Sequence, residues 1–183
     1  MIFMPTEIPD VVLITTEQLS DDRGFFSRTW GQDVFAEHGL LASIVQRNLS
    51  YNRAALTLRG MHFQRPPHAE VKLVSCVTGA IFDVAIDLRA DSPTYRRWVG
   101  AELTADAGAM LYIPEGCAHG YLTLQPDTSV EYLVSEFYHP ESAAGIRWDD
   151  PAFGVQWPAR PSVIAERDRT YADYVLTPTD ARA

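Results

Sequence analysis

The sequence predicts an all-β domain with a few short helical pieces, and three observations carry that prediction. Short runs alternate apolar and polar residues, Ile81–Leu88 most regularly. Turn formers such as Asp91-Ser92-Pro93 and Pro114-Glu115-Gly116 separate these runs at even spacing. Only one stretch, Trp30–His38, carries a helical signal. Many short strands with regular turns indicate a β-sandwich or barrel.

Taken in order, the Trp30–His38 helix stops at Gly39, a residue suited to a left-handed cap. Val71–Val77 reads as a strand and is followed by Ile81–Leu88. In the latter, Phe82, Val84, Ile86 and Leu88 line one face, and Asp83, Ala85 and Asp87 line the other. Trp98–Leu103, Met110–Ile113 and Val130–Ser135 complete the set. Tyr132 shares a face with Val130 and Val134, which points it inward, where a phenol needs a hydrogen-bond partner. Beyond Pro151, Pro158, Pro161 and Pro178 disfavour long regular elements. No repeat, low-complexity tract or linker interrupts the chain, so residues 1–183 read as one domain.

The 183 residues, 46% of them hydrophobic, suffice for one sizeable core. A net charge of −9 and a pI near 4.9 argue against a nucleic-acid surface or an anionic membrane as partner. No run approaches the roughly 18 apolar residues of a membrane span. Met1–Asp10 lacks the basic-then-apolar order of a signal peptide. Cys76 and Cys117 show neither zinc spacing nor a disulfide framework, so a reducing, cytoplasmic setting is expected. The charge is uneven. Residues 23–72 carry +4 and the remainder −13, and a locally basic third can attract a small anionic ligand or can be a solvated face. Of the 15 basic residues 14 are arginine; the one lysine is Lys72.

The densest polar cluster runs Gln46, Asn48, Arg59, His62, Gln64, His68, Glu70, Lys72. Arg59-Gly60-Met61-His62 reads as a turn that delivers a basic side chain and an imidazole together. Glu70 and Lys72 would share a face of an extended strand ending at Lys72. Lysine is a compact charge suited to a developing oxyanion, whereas arginine is a fork suited to phosphates. In Ile113–Tyr121 the glycines flanking His119 serve either close ligand approach or a turn. Glu166-Arg167-Asp168-Arg169, by itself, reads as a solvated face. His62, Glu70 and His119 make a sparse metal-ligand set with no HxH pair.

Asp22-Arg23-Gly24-Phe25-Phe26, Gln46-Arg47-Asn48-Leu49-Ser50 and Leu58 through Gln64 resemble segments of the dTDP-4-dehydrorhamnose 3,5-epimerases. So do Lys72-Leu73-Val74, Gly79 through Arg89, Asp91-Ser92-Pro93-Thr94, Ile113 through Gly120 and Trp148-Asp149-Asp150-Pro151. The resemblance covers nearly the whole chain in order. It implies a cupin jelly roll, a homodimer, a nucleotide-diphosphate sugar as substrate, and no metal or other cofactor. It also implies roles by position. His62 would be the base and Asp168 the carboxylate that orients it; Lys72 would stabilise an enolate; Tyr132 would be the acid on the opposite face. Arg23, Phe26, Gln46, Asn48, Arg59, Tyr138 and Arg167 would contact the substrate. His119 and Asp83 would line the site, Asp83 alternatively orienting a histidine. Arg28, Ala143, Arg167 and Leu133 depart from residues common in the family (Glu, Glu, Lys and Lys in turn), the first two at nucleotide-binding positions. A CDP- or GDP-linked sugar, a one-centre epimerase acting at C3 or C5, and a non-catalytic sugar-nucleotide binder stand as alternatives.

Overall fold

The structure, a computed structural model, describes residues 1–175. In chain order its strands are β1 (Ile2–Pro5), β2 (Val12–Thr15), β3 (Leu19–Asp21), β4 (Gly24–Phe26), β5 (Gln46–Asn52), β6 (Thr57–Gln64) and β7 (Lys72–Thr78). There follow β8 (Ala80–Asp87), β9 (Trp98–Thr104), β10 (Ala109–Ile113), β11 (Cys117–Thr123), β12 (Thr128–Val134), β13 (Ala143–Gly145) and β14 (Val163–Ile164). Helix α1 spans Gln32–Glu37 and α2 spans Glu166–Arg169. The helix expected over Trp30–His38 is thus six residues long, and Gly39 ends it at φ +70° with its N–H on the Ala36 carbonyl. Among the described residues the tail holds only β14 and α2, in keeping with its prolines; Pro178 lies outside the described residues.

Two sheets form a jelly-roll sandwich. One runs β1-β2-β10-β7-β12-β5; the other runs β13-β6-β11-β8-β9, with β14 beside β6. A core from both sheets lies between them, including Val74, Ile81, Ala85, Leu103, Leu111, Tyr121 and Val130. The outer face of the first sheet is covered by α1, whose Phe35 packs on Val12, Ile14, Leu73 and Tyr112. The outer face of the second is covered by the C-terminal segment, where Phe153 and Trp157 meet Val84, Ile86 and Met61.

This layering, which covers both faces of the second sheet, explains β8. Its alternation suggests one wet face, yet Asp83 and Asp87 are both 0% exposed. A buried carboxylate needs donors. Asp87 receives Arg89 Nε at 2.9 Å, Ser92 Oγ at 2.5 Å and Thr94 Oγ1 at 2.7 Å. Burial pushes its pKa up, but these donors outweigh that and hold it below the usual carboxylate range.

Two local expectations are corrected. Arg59-Gly60-Met61-His62 is part of β6, not a turn. Lys72 begins β7 and does not end a strand; Glu70 precedes it in the connecting loop. The first follows from the close approach of β6 to β11. Gly60 has φ +127°, and a Cβ there would stand 2.4 Å from Gly120 Cα and 2.8 Å from the His119 carbonyl oxygen. The paired glycines let the strands stay hydrogen-bonded through the register shift between His119 and Tyr121. Gly60→Ala should therefore cost about 3 kcal/mol, lowering the melting temperature by about 6–12 °C in a thermal scan. A drop of under a degree or two would show that β6 can slide without loss.

Candidate active site

Between the sheets opens a cavity of about 550 Å³. Strand alternation delivers its lining. On β5, Gln46, Asn48 and Ser50 face inward while Arg47, Leu49 and Tyr51 point out. On β6 and β11, Arg59 pairs with Tyr121 and His62 with His119, so all four side chains meet at one wall. On β7 and β12, Lys72 and Tyr132 line the wall formed by the other sheet. The imidazole of His62 and the phenol of Tyr132 thus stand on opposite sheets of the sandwich.

Several polar groups at the cavity have a partner that orients them. His62 Nε2 is 2.7 Å from Oδ1 of Asp168, a residue 3% exposed on α2. The other oxygen of Asp168 accepts the Gly60 N–H at 3.2 Å. Burial raises the Asp168 pKa, but His62, the Gly60 N–H and Arg167 together hold it below the usual carboxylate range. An ionised Asp168 accepts the Nε2 proton, which leaves Nδ1 of a neutral imidazole as its basic nitrogen. Arg167 Nη2 lies 3.3 Å from Nε2. With that nitrogen already donating to Asp168, the Arg167 contact is a close approach rather than a hydrogen bond. A second pair repeats the pattern: His119 Nε2 is 2.7 Å from Asp83 Oδ1. Arg59 Nε donates to the buried Asn52 Oδ1 at 2.7 Å, which aims the guanidinium. Lys72 Nζ donates to the His62 carbonyl at 3.1 Å and pairs with Glu70 at 3.1 Å. Burial pushes the Tyr132 phenol up, Glu70 adds to the rise, and Arg59 partly opposes it.

Of the residues singled out from sequence, Gln46, Asn48, Arg59, His62, Lys72, His119, Tyr132, Tyr138 and Arg167 line this cavity. Asp83 and Asp168 stand directly behind the two histidines. Arg23 and Phe26, expected at the nucleotide, do not line it. They sit on the β3–β4 hairpin, a two-stranded sheet of its own, with the Arg23 side chain 88% exposed and paired to Asp21. Ala143 lines the cavity, whereas Arg28 is not among its lining residues. Gln64 and Glu70, from the same polar cluster of the sequence, line it too, as do Ser50, Tyr121 and Tyr171. Ser50 was findable, since it continues the two-residue period of Gln46 and Asn48. Tyr171 was not: it lies in irregular chain after α2, edge-on to His62 with ring centroids 6.5 Å apart.

Among the described residues, His68, His139 and Glu141 bring possible metal-ligand atoms within 4.8 Å of one another. The two imidazoles are stacked at 3.5 Å and 8°, so their in-plane lone pairs run parallel and do not converge on one ion. His62 and His119 each spend Nε2 on a buried carboxylate.

The sequence pattern of the dTDP-4-dehydrorhamnose 3,5-epimerase family matches residues 5–174. The chain is 43% identical over 169 residues to the dTDP-4-dehydrorhamnose 3,5-epimerase of Sinorhizobium fredii, covering 92% of this chain and 87% of that one. A Streptomyces niveus dTDP-4-dehydrorhamnose 3-epimerase is 37% identical over 166 residues, covering 90% and 80%. The crystal structure of the Bacillus anthracis 3,5-epimerase with TDP and pyrophosphate bound superposes with a TM-score of 0.91 at 39% identity, covering 94% of this chain and 98% of that one. No described helix is long and apolar enough to cross a membrane.

Proposed function

The chain belongs to the dTDP-4-dehydrorhamnose 3,5-epimerase family, of the cupin jelly-roll fold, and from that premise we propose that it inverts C3 and C5 of a dTDP-linked 4-keto-6-deoxy sugar. One observation carries the reading: a carboxylate-oriented imidazole and a half-buried phenol occupy opposite walls of one cavity that also holds an ammonium.

The hydrogens on C3 and C5 are α to the C4 ketone and therefore acidic. His62 takes one as a proton, and the C–H electron pair moves into the ring to make an enolate. Charge gathers on the C4 oxygen, where Lys72 stabilises it; groups preorganised in this way contribute about 3–4 kcal/mol. Tyr132 then returns a proton to the same carbon from the opposite face. The imidazolium and phenolate regain their starting states through solvent, and the step repeats at the second carbon. Each inversion breaks and remakes one C–H bond, so no net oxidation occurs. Arg59, aimed by Asn52, meets the diphosphate with Gln46 and Asn48 beside it.

We also read the protein as a homodimer. The β3–β4 hairpin exposes Leu19, Phe25 and Phe26, an apolar surface suited to a second copy, which would receive Arg23 and Phe26. A cytoplasmic setting suits Cys76 and Cys117, both buried and unpaired.

Incubation with dTDP-4-keto-6-deoxyglucose in heavy water tests the reading by mass spectrometry and proton NMR. Two deuteriums, at C3 and C5, with inversion at both, support it. One deuterium moves the protein to the one-centre class of its Streptomyces niveus relative. No incorporation, with CDP- and GDP-linked sugars equally inert, leaves a binding protein.

A further inference from the structure

The proposed reaction needs an ammonium at a defined point, yet Lys72 is a long chain with rotation about every bond. Two contacts fix its end. Nζ donates to the His62 carbonyl oxygen at 3.1 Å and to Glu70 Oε1 at 3.1 Å. An ammonium has three N–H donors. With two committed to the protein, the third is left for the cavity that Lys72 lines.

Glu70 is itself held. Its Oε2 lies 3.4 Å from Gln64 Nε2, the longest of three contacts that the two N–H groups of that amide share. Gln64 is buried and also donates to the carbonyls of Phe137 at 3.0 Å and His68 at 3.1 Å, while its Oε1 accepts the His139 N–H at 2.7 Å. The Lys72 and Glu70 side chains are 9% and 13% exposed, so solvent does little to screen or disorder the pair. A carboxylate lining a cavity for a diphosphate otherwise repels that ligand. Its place here is explained by the lysine, not by substrate binding.

We infer that Glu70 is a positioning residue for the proposed epimerisation: acting through Lys72, it directs the remaining N–H toward the C4 oxygen of the sugar. The inference rests on the proposed role of Lys72.

Three variants separate the two. Glu70→Ala removes the acceptor, Glu70→Gln keeps the shape and an amide oxygen that can still accept from Nζ, and Lys72→Ala removes the ammonium. With dTDP-4-keto-6-deoxyglucose, Glu70→Ala should lower kcat about 10–100-fold while KM and dTDP affinity stay within about 3-fold. Glu70→Gln should recover kcat to within about 5-fold of wild type, and Lys72→Ala should lose turnover. Wild-type kcat in Glu70→Ala beside an inactive Lys72→Ala overturns the positioning role and leaves the Lys72 assignment standing. Wild-type turnover in Lys72→Ala removes the Lys72 assignment first. Equal losses of kcat, dTDP affinity and melting temperature in Glu70→Ala and Glu70→Gln would show a merely structural carboxylate and overturn the inference.

Discussion

Replacing His62 with alanine is expected to stop deuterium uptake at both C3 and C5, lowering turnover by at least about 10²–10⁴-fold. Binding of dTDP should be unchanged, since Arg59, Gln46 and Asn48 hang from other positions of β5 and β6. The size of the effect follows from the geometry. His62 is half-buried, its Nε2–H donates a hydrogen bond to Asp168 at 2.7 Å, and Asp168 is in turn held by the Gly60 N–H. The imidazole therefore waits in one tautomer, with Nδ1 free to take a proton. The variant also decides whether one base serves both carbons. His119 with Asp83 forms a second imidazole–carboxylate pair across from His62 on β11. Exchange that persists at a single carbon in His62→Ala would assign that carbon to His119. Exchange that persists at both would remove His62 from the chemistry.

Tyr132→Phe should separate exchange from inversion. The ring stays and still fills its place against the core, so dTDP affinity holds. What goes is the proton donor on the far wall. His62 can still take a proton, exchange it with solvent and return it to the same face, so deuterium enters without a change of configuration. Inversion should fall by about 10²-fold or more. Inversion at the wild-type rate in this variant would show that another group, or water, protonates the enolate. The pH profile gives a second test. Tyr132 must be protonated to act as an acid, and burial and Glu70 both raise its pKa above the ordinary phenol value of about 10. The wild-type kcat should then hold through neutral pH and fall only on the strongly alkaline side. Removing the carboxylate charge in Glu70→Gln lowers the phenol's pKa, so the alkaline limb moves to lower pH. A limb that stays put would mean that another group controls it.

How far the site was legible in the chain differs residue by residue, for a physical reason. Alternation placed Tyr132 inward and put the polar residues of Ile81–Leu88 on one face, because strand periodicity is a local property of the backbone. It was silent on the fate of that face: Asp83 and Asp87 are buried because their side of β8, with Ile81 and Ala85, turns to the opposite sheet, while the C-terminal segment covers the Val84 and Ile86 side. The Arg59–His62 segment looked like a turn because Gly60 commonly serves one. Only the partner strand, with Gly120 opposite, shows the glycine being used for close approach inside a strand.

By itself, then, the sequence determined an all-β acidic protein, one basic segment within it, and the chemical types of an imidazole, an ammonium and a phenol. The resemblance carried by its motifs added the family. The tertiary structure decided which groups touch. It set His62 against Asp168 across 106 positions, put His62 and Tyr132 on facing sheets, closed Lys72 onto Glu70, and held Arg23 and Phe26 away from the cavity of their own chain. Periodicity and residue type are encoded within a few neighbours of each position. Partner choice depends on strand order and register, which arise only when distant segments bury a common core.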